Sequence, residues 1–484
     1  MVVTLNVDGL LERAERPQTH EIGIQVRPVR ASCLHSSRFI VLAQSVLLIA
    51  LITSNTLVWN PSIIAISDLK SSPKYEPNRT QDAAFYNDHS LPLADRRLIY
   101  TPMEKSILFA AVFIGAIFGI FPTEMMLRCF GGFRTTILMS ALSTVCSALV
   151  PMSVSNSFVL LVVLRLILGA TISLAFPLIG TIVSSWSAAC ESSLFVAILT
   201  GYLQLSAGFT MGLTGVVASE FGWPVVFYIH SVAMFLLLLL WIFNYKDDPF
   251  RHRFVSEVEL RKISVGKEIN MKVKPVATPY AEIFRSKAVW GVWIAAGGNY
   301  LAGQFCLTFW PAYLVHSLGY TLTAAGFIAV IPLSLQFCAK FLAGVIGQYE
   351  GFLSPLNTIR LLNTTAFCGG AVCFTMAALV EQKTVSLGFV IAAIVVLGLN
   401  AGGFPRSAVL VSKQHSRFVM SGIQLCLCVV LCGGSFMVPN LTPHSTFEEY
   451  RVVFFIYAAV LFVSNGVFVW LAKASPEPFT LSST

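Results

Sequence analysis

Residues 135–190 read TTILMSALSTVCSALVPMSVSNSFVLLVVLRLILGATISLAFPLIGTIVSSWSAAC. A single Asp, Glu, Lys or Arg side chain, that of Arg165, interrupts this run. A helix that crosses the apolar core of a bilayer needs about 20 mostly apolar residues. The run is therefore long enough for two crossings, with a turn expected near residues 151–157. It predicts a membrane-spanning helical hairpin.

The whole chain has the same character. Of its 484 residues, 56% are hydrophobic and 12% are charged, and its mean hydropathy is +0.75. Soluble proteins carry about 25% charged residues, so this composition excludes a soluble enzyme, a disordered chain and a nucleic-acid binder. The charge-free stretches predict an all-α integral membrane protein in the lipid bilayer. Its twelve transmembrane helices are expected at about residues 39–67, 105–126, 134–153, 157–185, 193–219, 223–244, 289–315, 322–347, 357–380, 385–410, 417–440 and 451–472.

The positive charges indicate the orientation. Lys and Arg are concentrated in the tail 1–38 and in the loop 245–288, and cytoplasmic segments of membrane proteins carry such an excess. We therefore expect both termini, residues 1–38 and 473–484, and this loop to face the cytoplasm. The net charge of +8 follows from the asymmetry and requires no nucleic acid partner. The long loop 68–104 would lie on the other side, where an Asn-Arg-Thr sequon predicts an N-glycan on Asn78.

The loop 245–288 divides the spans into two groups of six, residues 39–244 and 289–472. Two six-helix halves joined by a linker are the arrangement of the major facilitator fold. A weak internal repeat supports the division, because the dipeptide Phe-Pro occurs at Phe176 in span four and again at Phe404 in span ten. Span ten is the counterpart of span four in the second half.

No motif for catalysis or for ATP hydrolysis occurs. The phosphate-binding loop G-x-x-x-x-G-K-[ST], the zinc motif H-E-x-x-H and the nucleophile motif G-x-S-x-G are absent from the sequence. The group Cys426, Cys428 and Cys432 in span eleven fits apolar packing better than a zinc site. We therefore expect no enzyme, no metal and no cofactor. Gradient-driven transport, a pore or a non-transporting membrane protein remain.

Ionisable side chains inside spans are candidates for function, because each costs about 2.5–3.5 kcal/mol at a helix centre. Arg165 lies about two turns into span four and keeps its charge, so it faces a polar cavity or binds an anion unless it snorkels to the interface. Lys340 and Arg406 lie nearer the cytoplasmic ends of their spans, where snorkelling is favoured. His230 in span six either titrates or is simply hydrogen-bonded. Glu124, at a cytoplasmic span end, is interpreted as a gate or an ion-pair partner.

Short motifs in the same order along the whole chain carry a family resemblance. They are VLRLILG (163–169), FP (176–177), WSAACES (186–192), FGWPVVFY (221–228), PYAEIF (279–284), WPAYL (310–314) and FEEYRVVFF (447–455). With them the chain resembles the anion–cation symporter family of the major facilitators, which includes the vesicular glutamate transporters, sialin and the type I sodium–phosphate transporters. The resemblance implies an anion carrier energised by H⁺ or Na⁺ in a plasma, lysosomal or vesicular membrane. It also implies that Arg165 and Glu191 stand at positions where the family has the same residues.

Several positions depart from that family's pattern. The span-two His of the family falls at or near Phe109, and its span-four carboxylate falls on Ile172. The span-seven Arg of the family falls at or near Asn299 and Tyr300, and the Arg that follows Glu191 in the family is Ser here. Because Phe109 and Ile172 cannot titrate, we expect proton coupling to be weak or absent.

Together these observations predict a secondary transporter that moves a small organic or phosphate-like anion by alternating access of the two halves. Arg165 would hold the anion, and polar residues of spans one and seven would complete the pocket: Asn55, Asn60, Asn299, Tyr300 and Gln304. Interhelical hydrogen bonding is the alternative role for these five. The candidate gating or coupling residues are Glu124, Glu191 and His230. The rival functions are a facilitator of the same fold for a neutral or cationic solute, and a transport-dead sensor or scaffold. A channel is disfavoured, because no span offers a row of charge.

Overall fold

The computed structural model describes residues 37–67, 91–98, 100–264, 278–347, 353–443 and 445–480. Within these ranges the regular secondary structure is entirely helical. Nine helices there are long and apolar enough to cross a membrane. Two of them, Met103–Asn156 and Lys383–Leu441, are long enough for two passes each. The stretch 287–317 adds a run of shorter helical pieces. The count of twelve spans stays a prediction.

The first half begins with span one, which consists of two helices, α1 (Ser37–Leu57) and α2 (Trp59–Ser67). The rest of this half contains α3 (Pro102–Asn156), α4 (Phe158–Ile172), α5 (Ala175–Trp186), α6 (Ser192–Thr200), α7 (Tyr202–Glu220) and α8 (Trp223–Asn244). Helices α4 and α5 form span four, and α6 and α7 form span five. The expected glycosylation site, Asn78, lies outside the described residues.

The linker contains two short helices, α9 (Glu257–Ser264) and α10 (Tyr280–Arg285). The second half contains α11 (Lys287–Gln304), α12 (Leu322–Ile346), α13 (Pro355–Leu379), α14 (Lys383–Leu397), α15 (Phe404–Ser412), α16 (Ser416–Leu441) and α17 (Phe447–Leu471). We call the side on which the linker lies the linker face and the other side the opposite face. The surface at which the two halves meet is called the seam.

The expected loop between spans two and three is only a kink in α3. The helix breaks at Gly131, whose φ of +81° is a conformation that Gly adopts at little cost. Asp247, just after span six, accepts a hydrogen bond of 2.8 Å from the backbone N–H of Phe133. This bond satisfies one of the free donors where the helix restarts. Burial raises the pKa of the Asp247 carboxyl group, although the backbone donors oppose that rise.

Span seven is locally widened. After α11 the chain forms π-helical turns at Phe305–Phe309 and at Tyr313–Ser317. Pro311 lies between them, and a Pro inside a helix removes a backbone donor and collides with the preceding turn. Single π turns are frequently found at functional sites. Here they bring span seven close to span one, since the amide of Asn60 lies 3.5 Å from the carbonyl oxygen of Leu307.

The outer surface is apolar, as a lipid-facing surface must be. Phe118 and Phe243, for example, are 77% and 81% exposed. In contrast, Lys340 and Arg406 are only 6% and 8% exposed. The expectation that these two side chains snorkel to the interface is therefore wrong. Lys340 points inward because packing across the seam places its amine 2.8 Å from the carbonyl oxygen of Thr200.

Candidate functional site

Arg165 lies where span one is broken. Helix α1 ends at Leu57 and α2 starts at Trp59, and Pro61 cannot donate a backbone hydrogen bond to the preceding turn. The carbonyl oxygen of Thr56 at this break accepts a hydrogen bond of 2.8 Å from Arg165 Nη1. Thr56 is in the last turn of α1, where the helix dipole concentrates partial negative charge. The break in span one therefore supplies part of the counter-charge for the guanidinium.

Arg165 also contacts span two, because α3 and α4 cross closely. At Gly169 an added Cβ atom would lie 2.9 Å from the Cα atom of Val112, so no side chain fits there. This close approach brings Arg165 Nε to 3.2 Å from the carbonyl oxygen of Leu108. The indole of Trp59 covers the guanidinium, with its ring centroid 5.6 Å from the Arg165 Cζ atom.

The Arg165 charge has no acidic partner within the ranges that the structure describes. The residue is 2% exposed, and neither a hydrogen bond nor an ion pair joins it to a carboxylate there. Two backbone carbonyls and an indole face are weaker partners than a carboxylate or a phosphate, which bind a guanidinium through two parallel bonds. A buried guanidinium held in this way is suited to receive an anion.

The two predicted pocket residues of span one point in different directions. The amide of Asn55 donates a hydrogen bond of 2.9 Å to Ser143 Oγ in span three. The amide of Asn60 faces the seam and approaches the carbonyl oxygen of Leu307 in span seven. Asn55 therefore holds two helices of the first half together, whereas Asn60 is one of the residues that join the halves.

The three predicted residues of span seven also separate. Asn299 accepts a hydrogen bond from the amide of Asn400 in span ten. Gln304 is fully buried and donates to the carbonyl oxygen of Leu431, at 2.8 Å, and to Ser435 Oγ, at 3.1 Å. The geometry of both residues is that of interhelical hydrogen bonding within the second half.

Tyr300 lies at the seam in an aromatic cluster that the sequence alone did not predict. Its ring packs edge-on against Phe176 of the first half, with centroids 5.9 Å apart, and against Phe404 of the second half, at 6.3 Å. Tyr202 also packs edge-on against Phe176, with centroids 5.9 Å apart. The sequence does contain a signal for this arrangement, since Phe176 and Phe404 are the Phe residues of the Phe-Pro dipeptides in spans four and ten.

The halves are joined at the linker face by an ion pair. Glu124, near the middle of α3, lies 3.0 Å from Arg417 Nε in α16. Ser421, one turn further along α16, donates a hydrogen bond of 3.1 Å to the same carboxylate. Beside this pair, Ser416 Oγ lies 3.3 Å from the carbonyl oxygen of Gly180 in span four. The partner of Glu124 is thus a residue of the second half.

Glu191 lies in a separate ionic network at the linker face. It pairs with Arg38 at the start of span one, at 2.7 Å, and with Lys262 of the linker helix α9, at 2.6 Å. Arg38 also pairs with Glu259 of α9, at 3.1 Å. Among the described contacts, the network fastens the linker to the first half.

The linker is fastened further by a buried histidine. His252 Nε2 donates to the carbonyl oxygen of Asn244, 2.7 Å away, and His252 Nδ1 accepts from the backbone N–H of Phe254, 3.3 Å away. The ring packs at right angles to Trp186, with centroids 5.2 Å apart. Burial lowers the pKa of His252 below its ordinary value of 6.5.

The halves also touch toward the opposite face. Besides the contact between Asn60 and span seven, spans five and eight approach so closely that an added Cβ atom at Gly326 would lie 3.4 Å from the carbonyl oxygen of Met211. A cavity of about 20 Å³, lined in part by Pro61 and Pro311, remains between these spans. Contacts at both ends of the seam thus close the space between the halves.

His230 is buried in span six and lies apart from the ionic groups above. Its Nδ1 atom is 2.7 Å from the carbonyl oxygen of Val226, four residues earlier in the same helix, and its ring packs against Phe209, with centroids 5.0 Å apart. No described residue hydrogen-bonds to its Nε2 atom. This geometry is that of a neutral ring packed inside the first half.

The fold and the seam define a class: a polytopic membrane protein made of two helical halves that pack against each other and enclose buried cations. The chain belongs to the Major Facilitator Superfamily, whose family model matches residues 42–435.

Curated relatives are similar over most of their length. Human sialin is 22% identical over 434 residues, covering 87% of each chain. The probable small intestine urate exporter of Mus musculus is 22% identical over 431 residues, covering 87% of this chain and 86% of the relative. Probable anion transporter 6 of Oryza sativa is 25% identical over 387 residues, covering 76% of this chain and 88% of the relative.

A solved structure confirms the fold. The proton:xylose symporter XylE, bound to 6-bromo-6-deoxy-D-glucose, aligns with a TM-score of 0.66 over 90% of this chain and 95% of its own. The sequence identity is 14%. At that identity the likeness establishes the arrangement of the helices and nothing about the solute.

Proposed function

We propose that the protein is a secondary transporter that carries a small organic or phosphate-like anion across a membrane by alternating access of its two halves. The observation that carries the proposal is the buried guanidinium of Arg165 at the broken first span, which has no carboxylate partner among the described residues. A charge in such a place is costly and is normally retained for function. The names of the relatives, which include an anion transporter, a urate exporter and vesicular glutamate transporters, agree with this solute class.

Binding would begin with an exchange of partners at Arg165. The carboxylate or phosphate of the solute replaces the carbonyl oxygens of Thr56 and Leu108 as acceptor for the guanidinium. The exchange releases the end of α1, so the two pieces of span one become free to change their angle. Span one touches span seven through Asn60, and anion binding is thereby linked to the contact between the halves.

Two sets of contacts would then alternate. The Glu124–Arg417 ion pair closes the linker face, and the contacts of spans one and five with spans seven and eight close the opposite face. Opening one face requires that its own contacts break while the other set is kept. The aromatic rings of Phe176, Tyr300 and Phe404 pack together across the seam. We propose that they separate the site from each face in turn.

We further propose that transport is driven by the anion gradient, the membrane potential or Na⁺ rather than strongly by protons. A proton-coupled carrier needs a group that binds H⁺ in one conformation and releases it in another. Glu124 is engaged with Arg417, and His230 is packed in a neutral hydrogen bond to its own helix. Glu191 is engaged with the linker, and its proposed role is to hold the linker during the conformational change. Both termini are proposed to be cytoplasmic, because the linker face carries the basic loop.

The test of the solute class is uptake into proteoliposomes that contain the purified protein. Radiolabelled L-glutamate, urate and phosphate are offered separately, each in competition with the unlabelled anions, with choline and with glucose. The proposal predicts saturable uptake of at least one anion that excess unlabelled anion suppresses and that choline and glucose leave unchanged. Uptake that only choline or glucose suppresses would identify a carrier of cationic or neutral solutes, and no uptake of any probe would favour a sensor or scaffold.

A further inference from the structure

A second buried cation, Lys340 in span eight, lies at the seam. We propose that Lys340 forms an anion-binding site at the linker end of the transport path, which receives the carboxylate or phosphate of the solute after it leaves Arg165. The proposal rests on the function proposed above and adds a second site to it.

The ammonium group of Lys340 is incompletely satisfied. Its one described hydrogen bond is to the carbonyl oxygen of Thr200, 2.8 Å away across the seam. An ammonium group has three donors, and in the part of the chain that the structure describes no carboxylate lies within ion-pair distance of it. An apolar side chain would fill the same space without the cost of burying an unpaired charge. The presence of Lys at a 6% exposed position therefore indicates a role other than packing.

Lys340 and Arg165 are held in the same way. Helix α6 ends at Thr200 and α7 restarts at Tyr202, so Thr200 occupies the carboxyl-terminal end of a helix in the middle of span five. Arg165 bonds to Thr56 in the last turn of α1. Each cation is therefore balanced by the partial negative charge of a broken helix, a partner that an anion can displace.

The two cations lie at different depths. Lys340 is six residues from the end of α12 at the linker face, which at 1.5 Å per residue is about 9 Å from that face. Arg165 is seven residues from the start of α4 at the opposite face, which is about 10 Å from that face. In a bilayer core about 30 Å thick, Lys340 and Arg165 are then separated by roughly 10–20 Å along the membrane normal. One carboxylate or phosphate cannot contact both, so the anion would pass from one to the other.

Lys340 is closed off from the linker face by small side chains. Ala197, Ala343 and Ala401 form a buried cluster on that side of it, and an added Cβ atom at Gly344 would lie 2.6 Å from the Cβ atom of Ala197. On the other side, Gln204 and Gln336 form a hydrogen bond of 2.8 Å across the seam. An opening of the linker face that separates spans five and eight would break the Lys340–Thr200 bond and free the ammonium for an anion.

The contrasting interpretation is that Lys340 is a structural latch between spans five and eight. The two interpretations differ for Lys340→Gln, whose amide can still donate to Thr200 but carries no charge, and for Lys340→Met, which removes both the charge and the bond. An anion site predicts that Lys340→Met unfolds at a higher temperature than the parent protein in anion-free buffer, because an unpaired charge is removed. A latch predicts that it unfolds at a lower temperature.

The decisive experiment measures transport from each side. Uptake of labelled phosphate, glutamate or urate is followed in right-side-out and in inside-out vesicles that contain the full-length protein. For Lys340→Gln we expect KM for uptake from the linker face to rise about tenfold, as the loss of one charge-assisted bond implies, with KM from the opposite face unchanged. Lys287→Gln, which removes an exposed lysine at the linker face, is the matched control. Equal KM values for the Lys340→Gln and parent proteins on the linker side would overturn the proposal.

Charge restoration checks the same site within a single variant. Lys340→Cys, in a protein whose other cysteines are replaced by serine, is treated with aminoethyl methanethiosulfonate, which restores an ammonium group, or with methyl methanethiosulfonate, which does not. Recovery of the linker-side KM with the first reagent alone supports the site, and equal recovery with both reagents contradicts it.

Binding provides a measurement that does not depend on transport. If the parent protein takes up no anion, the proposed function fails. The second site is tested separately in Arg165→Met, which lacks the first site. It stands if phosphate raises the unfolding temperature of Arg165→Met and not that of the double variant Arg165→Met/Lys340→Gln, and it fails if phosphate raises both equally or neither.

Discussion

The ion pair between Glu124 and Arg417 is expected to keep the linker face closed, and Glu124→Gln tests this role. The substitution keeps the size of the side chain and an acceptor for Ser421, but it removes the negative charge. The carboxylate side chain is 7% exposed and that of Arg417 is 29% exposed, so the pair is largely shielded from water and screening is modest.

The size of the effect follows from the geometry. A hydrogen bond to a charged group contributes about 1.5–3 kcal/mol. When the pair is lost, Arg417 recovers part of this energy, because the exposed part of its side chain can be hydrated. We therefore expect a loss of about 2 kcal/mol from the closed state. At 1.4 kcal/mol per tenfold change, the ratio of linker-open to linker-closed molecules should rise about 30-fold.

The assay is a distance measurement between spin labels at the linker face of each half. Cys129, in the first half, and a cysteine introduced at Gln414, in the second, are both exposed there. With the remaining cysteines replaced by serine, double electron–electron resonance gives the populations of short and long distances. We expect Glu124→Gln to shift the population toward long distances.

A matched control isolates the role of the seam. Glu191→Gln removes a carboxylate that also has two cationic partners, but those partners, Arg38 and Lys262, belong to the first half and the linker. We expect its distance distribution to resemble that of the parent protein. If Glu124→Gln gave no shift, or if Glu191→Gln gave an equal one, the assignment of Glu124 as the closing residue would be refuted.

Three further predictions follow from other parts of the molecule. Because burial lowers the pKa of His252, protonation favours the undocked linker. The protection of the α9 amides, taken as the ratio of the intrinsic to the observed hydrogen-exchange rate at each pH, should therefore fall as pH falls below about 6.5. This dependence should be lost in His252→Phe, and protection that does not change with pH in the parent protein would contradict the prediction. Asn78→Gln should remove a glycosidase-sensitive shift in gel mobility, and an unshifted parent protein would argue against the orientation. An imposed inward proton gradient at clamped potential should drive little uptake, and strong concentrative uptake would make His230 the next residue to mutate.

The spans were predictable because each is a long run without charge. The expected span 223–244 coincides with α8 (Trp223–Asn244), and the expected span 157–185 differs by one residue at each end from the limits of α4 and α5. The turn expected near residues 151–157 falls at Ser157, the residue before α4. The length of an apolar run is a property of the local sequence, so it does not depend on how the neighbouring helices pack.

The breaks within spans were not predictable in this way. Spans one and five are interrupted at Val58 and Gly201, and the carbonyl groups freed there bond to cations from other helices. Which carbonyl meets which cation depends on how the helices rotate against one another. For the same reason the sequence could not show that Lys340 points inward, since proximity to a span end favours snorkelling only when the side chain faces the lipid.

The candidate site was only partly predictable. Arg165 stood out because it is an isolated charge in a long apolar run. The partner of Glu124 could not be read from the sequence, because Arg417 lies 293 positions away and meets it only when the halves pack. The polar residues of span seven looked equivalent in sequence, but Asn299 and Gln304 bond within the second half and Tyr300 alone faces the first.

The central claim is that Arg165 holds the transported anion, and initial-rate uptake by Arg165 variants tests it most directly. Labelled glutamate, urate and phosphate are offered to proteoliposomes with matched amounts of the parent protein, Arg165→Met, Arg165→Lys and, as control, Arg253→Met, which alters an exposed linker residue. We expect no uptake with Arg165→Met and poor rescue by Arg165→Lys, because an ammonium lacks the planar fork of the guanidinium, with unchanged uptake by Arg253→Met. Uptake by Arg165→Met equal to that of the parent protein would contradict the account.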